Sequence, residues 1–289
     1  MTTSVVDPLV SAQWLRETLS APDLRVVEAT WFPPWVARER SAREEYAAGH
    51  IPGASFFDID EIAARDTDLP HMLPPPEMFS SRLRRMGIGD GHRVVVYDRN
   101  RFMASARVWW TFRVMGHREV FVLDGGLAAW IAAGGELEDL PPVPSERHHT
   151  VRVQSHLVRS RDQVRAASQS GAARILDARP AGRFSGEVAE PRPGLRQGHI
   201  PGSASLPSDM LLDGDRMKSP DELRALFAQA GVRAGQPVIC TCGSGVTAAV
   251  LALGLARTGL DTAAVYDGSW AEWGADESLP LGTGSADRG

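Results

Sequence analysis

Gln236-Pro-Val-Ile-Cys-Thr-Cys-Gly-Ser-Gly-Val-Thr247 runs directly into Ala248-Ala-Val-Leu-Ala-Leu-Gly-Leu-Ala256 without one charged side chain. A span this long could cross a bilayer on length alone. Its first half, however, is polar and broken by glycine. The stretch reads better as a buried strand (Pro237–Cys240), a tight loop, and a helix (Val246–Arg257). Around it the same alternation continues. Gln163–Ser170 has a helical pattern, Arg174–Asp177 is a short apolar strand, and Ala263–Tyr266 is another. Between them Ser219-Pro-Asp-Glu222 opens a helix with a capping box and proline at its first position. That helix carries Leu223, Leu226 and Phe227 on one face and stops near Gly231. Strands alternating with helices indicate α/β units around a mostly parallel sheet.

The same unit occurs twice. His50-Ile-Pro-Gly-Ala-Ser returns as His199-Ile-Pro-Gly-Ser-Ala, 149 positions later, and Asp124-Gly-Gly-Leu-Ala-Ala-Trp as Asp267-Gly-Ser-Trp-Ala-Glu-Trp, 143 positions later. Pro76 corresponds to Pro220, Gly87 to Gly231, Val94–Tyr97 to Val238–Thr241, and Val26-Val-Glu28 to Ile175-Leu-Asp177. Collinear matches at one near-constant offset indicate a tandem duplication. Two domains are therefore expected, residues 1–135 and 151–289. The stretch 136–150, rich in proline and charge, is expected to be a linker.

Composition narrows the class. The 289 residues include 43% hydrophobic side chains, enough for two buried cores. A net charge of -5 argues against a nucleic-acid protein held by a basic field. Met1 to Leu24 shows no basic segment followed by an apolar core, so no signal peptide is expected. The two cysteines, Cys240 and Cys242, exclude a disulfide scaffold and a cysteine-rich zinc site. No metal and no cofactor is expected, and the low cysteine count suits the cytoplasm.

Cys242 lies just beyond a strand and just before a helix. Gly243 and Gly245 allow a tight turn whose N–H groups, with the helix N-terminus, favour an anion at one spot. A thiol held there is favoured as thiolate, which makes Cys242 the candidate nucleophile. Cys240 ends the apolar strand and is read as an inert core residue. The corresponding position of the first unit is Asp98, which cannot be a sulfur nucleophile.

Together, the two His-Ile-Pro-Gly segments, Arg107-Val-Trp-Trp110, Asp124-Gly-Gly-Leu127, Cys242-Gly-Ser-Gly-Val-Thr247 and Tyr266-Asp-Gly-Ser-Trp270 resemble the two-domain rhodanese-like sulfurtransferases. The likeness covers nearly the whole chain. It implies an α/β fold with a tandem pair of rhodanese-like domains, each a mostly parallel central sheet flanked by helices. Small residues after the cysteine resemble the 3-mercaptopyruvate sulfurtransferase branch, whereas the thiosulfate branch places basic side chains there. The family mechanism would make a persulfide on Cys242, release pyruvate as an enolate, and pass the sulfur to a thiol such as thioredoxin, to a small thiol, or to cyanide. Gly243, Ser244, Gly245, Val246 and Thr247 would cradle the anion. Arg183 and Arg192 match the family's carboxylate-binding arginines. Ser244, His71 and Asp60 match its proton-handling set, with aspartate orienting histidine and histidine polarising serine. The loop from Asp98 to Ser105 departs from the family by being shorter, with Met103 where relatives carry an aromatic. His50 and His199, paired by the repeat, are read as structural. A phosphatase of the same fold would need arginine six positions after the cysteine, and position 248 is alanine. Thiosulfate as donor, and a non-catalytic sulfur-carrier or partner-binding module, remain as competing expectations.

Overall fold

In the computed structural model, which describes residues 7–284, the run from Gln236 to Ala256 forms a buried strand, a loop and a ten-residue helix, Ala248–Arg257. Residues 1–6 and 285–289, the outer ends of the two expected domains, lie outside the described residues. The helix is buried on nearly every side, from Ala248 to Ala256, which accounts for its lack of charge. Among the described residues no helix is long and apolar enough to cross a membrane. Both elements shift from the sequence reading. The strand is Val238–Thr241, because Pro237 has no N–H to give to the ladder. The helix begins at Ala248, since Val246 and Thr247 complete the turn before it.

The chain divides into two compact units. The first comprises residues up to Ala64, Leu73–Gln154 and Gly214–Arg216; the second comprises Arg65–Met72, Ser155–Asp213 and Met217 onward. Each thus includes a short segment from the other half of the sequence. The first unit contains strands β1 (Leu9–Val10), β2 (Leu24–Glu28), β3 (Ser55–Phe56), β4 (Arg93–Tyr97) and β5 (Val120–Leu123), in the order β1-β5-β4-β2-β3. The second contains β6 (Val158–Arg159), β7 (Arg174–Asp177), β8 (Ser203–Ser205), β9 (Val238–Thr241) and β10 (Ala264–Tyr266), in the order β6-β10-β9-β7-β8. The second order is the first advanced by five strands. All pairings within both sheets are parallel. Helices cover such sheets, so central strands read as continuous apolar runs, as Val94-Val-Val96 does. The capping box predicted at Ser219 and Glu222 is present, with Leu223 and Phe227 buried and Leu226 partly so.

His50 and His199 occupy matching structural roles. His50 stacks on Tyr46 at 4.1 Å and bonds the Tyr46 carbonyl through Nδ1 (2.9 Å). His199 stacks on Phe184 at 3.9 Å and bonds the Phe184 carbonyl through Nδ1 (2.9 Å).

The expected linker has neither helix nor strand between 140 and 150, and most of its side chains are exposed, but its backbone is tied to the first unit. The Asp90 N–H donates to the His148 carbonyl (2.9 Å), and the Asp90 carboxylate accepts from the Thr150 N–H (2.9 Å) and hydroxyl (2.7 Å). Further along, Gly116 has a φ of 91° and meets Arg152 so closely that a Cβ would stand 2.5 Å from the Arg152 carbonyl oxygen. Only glycine fits there.

This belt buries a histidine pair. His117 Nε2 faces the His92 carbonyl at 2.9 Å and so carries a proton; its Nδ1 then accepts from His149 Nε2 at 3.3 Å. His149 Nδ1 has no partner among the described residues. Burial, and then the nearby His117, push His149 down to about 4. Unfolded, it titrates near ~6.5. The folded state therefore refuses a proton that the unfolded chain accepts. The His149 contribution to the stability of the first unit is expected to fall as pH drops from about 6.5 towards 4, and to level off below that. Melting temperature against pH measures this, and His149→Leu should reduce the slope.

Candidate active site

Strand β9 delivers Cys242 into a loop that the Asp267–Trp273 segment pins from below. The Cys242 N–H donates to Ser269 Oγ (3.2 Å), while the Cys242 and Gly243 carbonyls accept from the N–H groups of Trp270 and Ala271, both at 2.9 Å. Ser269 has a φ of 50°, a left-handed conformation uncommon outside glycine. Its hydroxyl holds that geometry by donating to the Tyr266 carbonyl (2.7 Å) while accepting from Cys242. The sequence reading used Tyr266–Trp270 only as a family marker and missed this pin.

Cys242 is 2% exposed, and Gly243 to Val246 are buried with it. Gly245 turns the chain at a φ of 76°. Among the described residues the N–H groups of Gly243, Ser244 and Val246 have no hydrogen-bond acceptor. Thr247 caps the following helix with its backbone alone. Cys240 lies inside β9, fully buried, in register with Leu176 and Val265. Burial, and then the neighbouring Cys242, push its thiol well above the usual range. Both cysteines are free.

Asp98 displays what this kind of loop does with an anion. One carboxylate oxygen accepts from the N–H groups of Asn100 (3.2 Å) and Phe102 (3.1 Å), the other from Ala104 (3.1 Å) and Ser105 (2.9 Å). The first unit thus plugs its own cradle with a side chain. Burial raises the Asp98 carboxyl above its ordinary range, against the opposing pull of these N–H donors. Asp98→Asn would turn an amide NH₂ towards backbone donors. A loss of about 1–3 kcal/mol of stability is expected in denaturant titrations, with chemistry at Cys242 unchanged.

Arg183 and Arg192 converge on the cysteine loop. A Cβ at Gly243 would stand 2.9 Å from Arg183 Nη2 and 3.8 Å from Arg192 Nη1. Glycine here leaves room for both guanidinium tips. Arg183, on the short helix Ala181–Ser185, is held by Glu190 through Nε (3.1 Å) and Nη2. Glu190 in turn accepts from Arg179 Nη1 (2.7 Å). Arg179 is buried over the Trp270 ring (4.4 Å) and bonds Asp177 through Nη2 (2.7 Å) and the Gly198 carbonyl (2.8 Å). Burial lowers the Arg179 proton affinity, but Asp177 and Glu190 outweigh it, and the net shift is upward. Neither Arg179 nor the role of Glu190 was drawn from the sequence.

The proposed proton-handling residues divide between units. Ser244 is 6% exposed in the cysteine loop, and His71, with a left-handed φ of 59°, belongs to the same compact unit. Asp60 belongs to the first unit, where it is exposed and accepts from the Trp31 indole N–H at 2.8 Å. Among the described residues no group of three or more histidine, cysteine or carboxylate side chains is arranged to hold a metal ion.

Comparison with known proteins agrees with the duplicated architecture. The rhodanese-like domain model matches residues 11–133 and again 160–276. The chain is similar to 3-mercaptopyruvate sulfurtransferase of Escherichia coli (strain K12), 41% identical with 94% of this chain and 96% of that protein covered. It is also similar to thiosulfate sulfurtransferase of Cricetulus griseus, 42% identical with 92% of this chain and 91% of that protein covered. Among solved structures, SseA from Escherichia coli, described as a 3-mercaptopyruvate sulfotransferase with the rhodanese fold, superposes with a TM-score of 0.84 at 38% identity, covering 92% of this chain and 99% of that one. The chain belongs to the rhodanese-like family, as two rhodanese-like domains in tandem.

Proposed function

We propose that the chain is a sulfurtransferase that takes sulfur from 3-mercaptopyruvate through a persulfide on Cys242. The observation that carries this reading is the pairing of a buried cysteine, on a loop with unused N–H donors, with two arginines at Gly243. The thiolate attacks the donor sulfur, the donor's carbon–sulfur bond breaks, and pyruvate leaves as its enolate. The donor's thiol proton ends on the enolate carbon. Ser244, His71 and Asp60 are the groups proposed to handle it. The N–H groups of residues 243–247 stabilise the persulfide anion. An acceptor nucleophile then attacks the outer sulfur and returns Cys242 to its thiolate; thioredoxin, a small thiol or cyanide can each do this. Residues 151–289 form the catalytic domain in this reading. Residues 1–135, with Asp98 in place of cysteine, form a non-catalytic one joined through 136–150. The cytoplasm is the proposed compartment.

Thiosulfate is the second reading, favoured by the 42% identical relative of that name. Against it, Gly243 and Ser244 supply no cation within the loop. Mass spectrometry of the intact protein tests the proposal. Incubation with 3-mercaptopyruvate should add one sulfur atom to the wild type and release pyruvate. An unchanged mass would refute persulfide formation from this donor and leave thiosulfate or a non-catalytic role. A higher kcat/KM with thiosulfate would reverse the choice of donor.

Arg183→Gln and Arg192→Gln are each expected to lower kcat/KM for 3-mercaptopyruvate by about 10²-fold, since a bidentate, charge-assisted contact to the donor carboxylate is lost. Steady-state kinetics with pyruvate detection provides the check.

A further inference from the structure

Away from the cysteine loop, the first unit contains a cavity of about 350 Å³, within the size range of small-molecule pockets. It opens beside the N-terminal end of β2, at Leu24, Arg25 and Val26. Asp98 follows the C-terminal end of the parallel neighbour β4, so the cavity and the Asp98 loop lie at opposite ends of one sheet. Two arginines, Arg25 and Arg147, line the cavity, and no carboxylate does.

Arg25 is fixed in place. Its Nε donates to the Gly87 carbonyl (3.0 Å), and Nη1 donates to the carbonyls of Pro22 (2.9 Å) and Leu24 (2.6 Å). These bonds orient the guanidinium without neutralising it, and Nη2 has no partner among the described residues. Neighbouring acids are engaged elsewhere: Glu146, between Ser145 and Arg147 in the chain, faces Arg84 Nε (3.8 Å). Asp23 makes a bidentate pair with Arg93 (2.8 and 3.0 Å), and Glu138 accepts from the Gly53 N–H (2.6 Å). Burial, followed by the like charge of Arg147, pushes the Arg25 guanidinium below its usual range against the weaker opposing charge of Asp23. Two cations facing one cavity without an acid repel each other, and a bound anion would relieve that repulsion. The remaining walls are mostly apolar, including Leu19, Met86 and Val143, with hydroxyls from Ser55 and Ser145.

We propose that this cavity is a second binding site, for a small organic anion whose carboxylate, sulfonate or phosphate head meets Arg25 and Arg147 while its apolar body lies against Leu19, Met86 and Val143. Both cations and the apolar wall are needed for this occupant. An inorganic anion would leave the apolar wall exposed to water, and a neutral ligand would leave the charges unpaired.

Ligand-observed NMR titration of the full chain with 3-phenylpropanoate tests the site. Inorganic phosphate serves as the head without the body, and 3-phenylpropanamide as the body without the charge. The carboxylate should bind, both comparison probes should bind at least tenfold more weakly, and added salt should weaken the binding. Arg147→Gln, at an exposed side chain, and Ser145→Glu, which places a carboxylate at the cavity, should each weaken 3-phenylpropanoate at least tenfold without changing sulfur transfer. Arg183→Gln should leave this binding intact, which separates the site from the one at Cys242. Equal binding of the amide or of phosphate would overturn the assignment. So would no detectable binding of the carboxylate, or binding that is insensitive to both cavity variants.

Discussion

Cys242→Ser is expected to abolish sulfur transfer, lowering kcat by about 10⁴-fold or more, and to leave the protein mass unchanged after exposure to the donor. A hydroxyl in the same loop is not ionised at neutral pH and cannot form a persulfide. The other cysteine offers no rescue. Cys240 is fully buried within β9, and its thiol is held protonated by burial. Cys240→Ala should therefore transfer sulfur at close to the wild-type rate, and the two variants measured side by side assign the chemistry. Residual persulfide in Cys242→Ser, or its loss in Cys240→Ala alone, would refute the assignment. The backbone around Cys242 is held by Ser269, Trp270 and Ala271 rather than by the thiol, so the serine variant should keep its fold.

Arg179→Met is expected to produce the largest loss of stability. Arg179 and Asp177 each have side chains 1% exposed, and Glu190 is 2% exposed. Removing the central cation leaves two buried carboxylates with only Arg183 to compensate them. Breaking a buried ion pair from one side typically costs about 3–5 kcal/mol. For a unit of this size that lowers the melting temperature by on the order of 10 °C. Methionine roughly preserves the volume against the Trp270 ring, so the loss reports the charges rather than a cavity. Adding Asp177→Asn in the Arg179→Met background should recover part of the stability, because one uncompensated charge is then gone. Scanning calorimetry of the three proteins decides the point. A change below about 1 kcal/mol would show that the network is incidental.

The tandem α/β architecture was legible in the chain because its signals are local. Strand runs such as Val94–Val96, the Ser219–Glu222 cap and the uncharged helix after Cys242 each depend on neighbours a few positions apart. Repetition of those signals at one offset gave the duplication, and the cysteine between strand and helix marked the candidate nucleophile. The parts left unread join residues far apart in sequence. Ser269 bonds Cys242 across 27 positions, and Arg25 bonds Gly87 across 62. The stretch 136–150 looked like a spacer because its composition forms no helix or strand, yet its backbone groups find partners on Asp90 and, just beyond it, Met115. Patterns in sequence report which face of an element is apolar. Which buried charge meets which partner is set only when the elements pack, because those contacts depend on distance in space.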